Sequence, residues 1–221
     1  MKLRLQPIRV FCFHQVSDTF DEQTCYREDW LQTDVFKNEI QELCRQGYIF
    51  ISLPDAYDKL REDRLRRHKY AVLTADDGDA SLRNVLPWLN EKQIPITLFL
   101  NPKYLDGKHF RHRETEQYLS EFDVQQLHVL YPLLTIGSHG WEHIDALRQT
   151  DQEFIDSFSR SVDYLNNLPN YIPFFAYPYG HCSYQAYDIT IKHQIVPILV
   201  RGSKNYMYNG YIDRELLGIH H

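Results

Sequence analysis

Short apolar or β-branched runs alternate along the chain with longer segments of helical periodicity, and this alternation restricts the fold more than any other feature. It is the signature of βα units around a parallel sheet. Strands are expected over residues 8–13, 48–52, 70–75, 96–101, 133–138, 174–177 and 196–200, and seven strands suit a closed or nearly closed α/β barrel. Between them, Phe36, Ile40, Leu43 and Cys44 recur at helical spacing, as do Phe154, Phe158, Val162 and Leu165. Ser120 with Asp123 three residues on reads as the capping start of a helix carrying Val124, Leu127 and Leu130. The longest stretch without clear periodicity is 102–118, a length at which loops are often functional. With 221 residues and 43% hydrophobic content, the chain is expected to form one domain, 1–221, around a sizeable core.

Composition narrows the partners. A formal charge of -6 gives no general pull toward nucleic acid or acidic membrane surfaces, so small ligands are the expected partners. No apolar stretch approaches the roughly 20 residues of a membrane span. Four scattered cysteines, Cys12, Cys25, Cys44 and Cys182, with no CxxC, argue against a disulfide framework or a structural zinc site. The first ten residues intersperse charge with apolar side chains and lack the continuous core of a signal peptide. As the chain stands it reads as cytoplasmic, and as periplasmic or extracellular if a leader has been removed. The basic stretch 61–69 reads as a solvated helix face, and 108–113 as a surface loop or, in a second reading, a grip for an anionic sugar. Nothing in the pattern sets an oligomeric state.

The residues that carry chemistry all fall where expected strands end, the place at which α/β barrels and sheets bind ligands. His14 follows the first strand, Asp76-Asp77-Gly78 the third, Ser138-His139-Gly140-Trp141-Glu142-His143 the fifth and Tyr177-Pro178-Tyr179-Gly180 the sixth. Two like charges on adjacent residues at a sheltered strand end call for a cation or a shared proton. Gly78 permits an unusual dihedral there, so one carboxylate can ligate while its neighbour faces a substrate. His139 and His143 are four apart, which places both imidazoles on one face if a helical turn follows the strand. Asp-Asp-Gly alone is a turn sequence, and a lone HxxxH is a common surface pair. Together, in this order and after strands, they supply two imidazoles and a carboxylate as ligands for a mononuclear hydrolytic metal site, with a second carboxylate left to handle protons.

Thr74-Ala75-Asp76-Asp77-Gly78 resembles the T-F-D-D-G motif of the NodB-homology polysaccharide deacetylases, carbohydrate esterase family 4, and Ser138 to His143 resembles their second motif. Phe175-Ala176-Tyr177-Pro178-Tyr179-Gly180 looks like the third. The stretch Phe11 to Val16, with Phe36, Gln46-Gly47-Tyr48 and Ile51-Ser52-Leu53, is similar to the poly-N-acetylglucosamine deacetylase subgroup. The resemblance spans roughly residues 8 to 200. It implies a deformed (β/α)7 barrel and one divalent metal, usually zinc, held by Asp77, His139 and His143. It also implies Asp76 as general base, His14 as the acid, and Tyr179, with Tyr177 and Pro178, at the substrate and oxyanion. Three departures stand out. Ala176 occupies the stretch where the wider family carries an arginine that pairs with the base, so another group must orient Asp76. Nothing is matched to the family's Asp-and-Trp fourth motif. No Leu-x-His occurs late in the chain, where only His220 and His221 stand.

The expected function is therefore a metal-dependent hydrolase that removes an N-acetyl group from an amino sugar in a glycan or glycan precursor. A hydrolase of another C–N amide, formyl or cyclic, keeps the same metal. A glycan-binding module that retains the barrel would have no need for an acid and a base.

Overall fold

The computed structural model describes residues 6–23, 27–62, 67–110, 117–205 and 207–218. Cys25, residues 63–66 of the charged stretch 61–69, residues 111–113 of 108–113, and His220 and His221 lie outside the described residues. The strands are β1 (Ile8–Phe13), β2 (Gln15–Ser17), β3 (Trp30–Gln32), β4 (Tyr48–Phe50), β5 (Lys69–Asp77), β6 (Ile96–Leu100), β7 (Leu134–Ser138), β8 (Tyr171–Ala176), β9 (Val196–Val200) and β10 (Ile212–Leu216). The α-helices are α1 (Thr33–Arg45), α2 (Leu53–Arg61), α3 (Leu86–Glu91), α4 (Glu121–Leu130), α5 (Asp151–Leu165) and α6 (Tyr184–Lys192).

Seven parallel strands close a ring in the order β1-β5-β6-β7-β8-β9-β10, because β1 pairs with β5 on one side and with β10 on the other. This is the deformed (β/α)7 barrel, with one exchange among its staves. The run expected over 48–52 is β4, which pairs only with the first residues of β5 and lies outside the ring, with Ile49 46% exposed. The seventh stave is β10, whose Asp213-Arg214-Glu215 centre hid it from an apolar reading of the sequence.

Side chains alternate across each strand, so every second residue faces the barrel interior. At the strand starts these are apolar: Ile8, Val10, Val72, Phe99, Phe174, Ile198 and Ile212 form one cluster, against which α2 lays Leu53, Ala56 and Leu60. The next inward positions toward the strand ends are Cys12 on β1, Thr74 and Asp76 on β5, and Arg214 on β10, all buried. The outward positions bind the helices. Phe36 and Ile40 of α1 and Val124 and Leu127 of α4 join Phe13, Leu73, Leu98 and Ile136, while Phe154 and Phe158 of α5 pack on Phe175, Tyr177 and Leu199. Capping boxes at Ser120 with Asp123 and at Thr150 with Glu153 satisfy backbone N–H groups at the starts of α4 and α5.

Ile212 is fully buried inside the ring, whereas Ile49 is on the appended strand. Ile212→Ala should therefore lower the unfolding free energy by about 2–5 kcal/mol and Ile49→Ala by about 0.5 kcal/mol or less, measured by urea denaturation. Similar small losses at both positions would contradict closure of the barrel by β10.

Candidate active site

Asp76 is the last inward residue of β5, and the group that orients it comes from β10. The Arg214 guanidinium donates to both oxygens of the Asp76 carboxylate, at 2.6 and 2.7 Å, and to Thr74 Oγ1 at 3.1 Å. Arg214 is wholly buried and its guanidinium carbon lies 5.3 Å from the centre of the Phe99 ring, so the cation rests on the apolar plug of the barrel. Burial alone would raise the Asp76 carboxyl, but the guanidinium outweighs it and holds the pKa down at about 2. The same contact raises Arg214 against the effect of its own burial. Beneath the pair, the Cys12 thiol, pushed up first by burial, donates to Asp76 Oδ2 at 3.4 Å. Cys12, His14 and Asp76 thus cluster as donors. With both Asp76 oxygens engaged by a guanidinium, that cluster does not suit a cation.

Asp77 departs from the strand. Its φ is +70°, and Gly78 N–H donates back to the Asp76 carbonyl at 2.9 Å, closing a three-residue turn of the rarer, strained hand. Strand alternation would have sent its side chain to the outer face; the turn brings it to the mouth. There Asp77 Oδ1 stands 3.7 Å from His139 Nε2 and 3.5 Å from His143 Nε2. No helical turn follows β7, contrary to the spacing argument. The two imidazoles meet, with ring centres 4.9 Å apart, through an irregular loop with Gly140 at φ +81°. Neighbouring loops fix that loop. Asn101 Nδ2 donates to the carbonyls of His139 and Gly140, the Tyr104 hydroxyl accepts the His143 N–H, and Lys103 pairs with Glu142.

This donor set fits a metal ion. Four-coordinate zinc, with bonds of about 2.0–2.2 Å, holds its donors about 3.3–3.6 Å apart, close to the separations found. His139 Nδ1 lies 2.7 Å from the Ala176 carbonyl, which can only accept, so Nδ1 carries the proton and the Nε2 lone pair faces Asp77. Burial, outweighing both nearby carboxylates, keeps the His139 pKa below its ordinary value and the ring neutral.

A pocket of about 460 Å³ opens above these groups, lined by His14, Glu28, Asp29, Asp76, His139, His143, Tyr179, Gly180, Val200 and Leu216. His14 enters from the end of β1, with Asp29 Oδ1 3.7 Å from its Nδ1. Tyr179, at φ +60°, turns its ring into the pocket edge-on to His143 at 4.6 Å. Tyr177 does not reach the pocket, which corrects its expected substrate role. It follows the inward Ala176, so alternation sends it outward, where its hydroxyl bonds the Ala186 carbonyl and Thr190 Oγ1. Pro178 is also buried.

Sequence reasoning missed three of these groups. Arg214 was hidden in an unrecognised strand, although Ile212, Arg214 and Leu216 do alternate. Asp29-Trp30, an Asp–Trp pair, was overlooked because it precedes the first motif, and Asn101 read only as a strand end. Trp30 does not line the pocket; its indole donates to Ser17 Oγ at 2.8 Å.

The sequence pattern of the polysaccharide deacetylases matches residues 63–198. The barrel is shared with the deacetylase PplD of Streptococcus pyogenes, solved in complex with acetate, at 19% identity over 97% of this chain and 93% of that one, with a TM-score of 0.80. It is also similar to IcaB from Ammonifex degensii (21% identity, 96% and 93% covered, TM-score 0.76). A de-N-acetylase from Aggregatibacter actinomycetemcomitans has the same fold (17% identity, 95% and 94% covered, TM-score 0.77). No curated protein matches the sequence. The chain belongs to the polysaccharide deacetylase family. It is a carbohydrate deacetylase, a hydrolase.

Removing one partner of a buried ion pair leaves the other charge uncompensated. Arg214→Met should cost about 3–5 kcal/mol of stability in urea unfolding, and Arg214→Met with Asp76→Leu should recover a large part of it. A double variant no more stable than Arg214→Met would disprove the coupling.

Proposed function

We propose that Asp77, His139 and His143 hold one divalent metal ion, most readily zinc, that Asp76 is the general base and that His14 is the general acid. The observation that carries this reading is the convergence of three ligand atoms beside a carboxylate already engaged by Arg214. When bound, the ion supplies Lewis acidity and makes its water acidic enough for a carboxylate base as weak as Asp76.

The chain's own residues account for the proton traffic. Asp76, ionised through the neutral range, accepts a proton as the water oxygen bonds to the amide carbonyl carbon. The backbone N–H of Tyr179 is the donor assigned to the developing oxyanion, because those of Gly180 and His181 already donate to the carbonyls of Tyr177 and Pro178. His14 then gives its proton to the nitrogen as the C–N bond breaks, releasing acetate and an amine. His14 suits this step better than His109 or His181, which pair with Asp106 and Asp145, because His14 lines the pocket and lies in one donor cluster with Asp76. The pocket lining includes the carboxylates Glu28, Asp29 and Asp76 and, among the described residues, neither lysine nor arginine. That favours a neutral N-acetylated amino sugar over an anionic one, in a glycan or glycan precursor. It weighs against a nucleotide-linked sugar diphosphate.

Asp77→Ala, His139→Ala and His143→Ala should each lose stoichiometric metal, measured by elemental analysis after dialysis; full zinc in all three would remove the ligand assignment. Asp76→Asn, whose amide oxygen can still accept from Arg214, should keep metal while losing stability through the uncompensated Arg214 charge, and its folded fraction should lose at least about a hundredfold in acetate release, the scale of one acid–base group; near-normal turnover would exclude it as base. His14→Ala should lose more on poor leaving groups than on good ones. Equal losses on both would exclude it as acid.

A further inference from the structure

Helix α4 turns apolar side chains to solvent as well as to the core. Val124 and Leu127 are buried, yet Phe122 is 70% exposed, Val129 64%, Leu130 57% and Leu133, just past the helix, 37%. Phe122, Gln125 and Val129 fall at i, i+3 and i+7, so they share one stripe on the side opposite Val124 and Leu127. The acidic residues of α4 stand in its first turn and are engaged there: Glu121 accepts the Tyr164 hydroxyl, and Asp123 accepts the Arg83 guanidinium and the Ser120 hydroxyl. From Phe122 to Leu133 the exposed side chains are Phe122, Gln125, Val129, Leu130, Pro132 and Leu133, and none carries a charge. Helix α5, by contrast, shows Asp151, Glu153, Asp156, Arg160 and Asp163 to solvent. A helix whose outer face is uncharged and largely apolar marks a surface that something covers.

The stripe complements itself. Gln125 lies near the midpoint between Phe122 and Val129, so two α4 helices crossing antiparallel about a dyad there set each Phe122 against the Val129 of its partner. The two Gln125 amides then pair, because an amide both donates and accepts. Charge points to the same occupant. Each copy carries a formal charge of -6, so two copies repel over most of their surfaces, and a row free of charge is where that repulsion is least. The row holds no lysine or arginine, which a lipid surface rich in phosphate would call for. Its four apolar side chains expose roughly 400 Å² per copy and about 800 Å² in a pair, before flanking polar groups are added, which places the contact at the small end of specific interfaces. We propose that α4 is the contact of a weak twofold dimer of this chain, its two copies antiparallel. Because α4 runs opposite to the barrel strands, the two mouths open at opposite ends of such a dimer, both clear of the contact.

The test is sedimentation equilibrium of the full chain between about 1 μM and about 500 μM, for the wild type, Val129→Glu and the double variant Phe122→Lys with Val129→Glu. The wild-type mass should climb with concentration from 26.5 kDa toward twice that value, with a dissociation constant in the micromolar range. Val129→Glu places two unpaired charges in each dimer and should weaken association at least about a hundredfold. The double variant sets each introduced lysine opposite an introduced glutamate across the dyad and should recover at least about tenfold of that loss. Both positions are exposed, so neither change should alter the urea midpoint. A wild-type mass that stays at the monomer value would overturn the proposal, as would a dimer that Val129→Glu leaves intact or that the double variant fails to recover. A monomeric wild type that sediments with neutral phosphatidylcholine vesicles, while Val129→Glu stays in solution, would also overturn it, since a lipid surface and not a second copy then covers the face.

Discussion

Two carboxylates on consecutive residues, both sheltered from water, are the constraint around which this barrel is arranged. Like charges this close cannot both remain ionised without positive partners. The chain separates them by direction. Asp76 stays in the strand and points inward to Arg214, which engages both its oxygens. Asp77 leaves the strand through a strained turn and points to the mouth, where two imidazoles meet it. One carboxylate is answered from inside the fold, and the other stands at the mouth beside two nitrogen donors.

That division depends on how the barrel closes. Arg214 reaches Asp76 because β10 inserts beside β1, which itself pairs with β5 along its full length. The two ends of the chain therefore supply adjacent staves, and with them His14, Asp29 and Arg214. The family pattern, which spans 63–198, covers the segments that carry Asp77, His139 and His143 but none of these three. The cation that engages Asp76 and the histidine that clusters with it enter from parts of the sequence lying far from the Asp76-Asp77 segment. Interior layering makes the cation tolerable: apolar residues fill the lower barrel, and the guanidinium lies over Phe99 with its charge directed up to the carboxylate.

Residue types and order made much of this legible. Apolar runs marked β1 and β9 to the residue, and the positions of Asp76, Asp77, His139 and His143 after strands pointed to a shared mouth. Geometry created by particular turns was not legible. The spacing of His139 and His143 suggested a helical turn, yet Gly140 and the hydrogen bonds from Asn101 bring them together without one. A strand with three charged residues at its centre was invisible to a hydrophobic pattern, because one of those charges is compensated inside the barrel. Tyr177 showed the converse: a motif residue beside the site whose parity on the strand commits it to the outer core.

The central claim is that Asp76 and Asp77 take different cations. Its most direct measurement is a crystal structure of the zinc-loaded protein with anomalous scattering recorded at the zinc edge. The account predicts one peak within about 2.0–2.2 Å of an Asp77 oxygen and of Nε2 of His139 and His143, with Asp76 still engaged by Arg214. A peak on Asp76 with Arg214 displaced, or no peak between the two histidines, would contradict it.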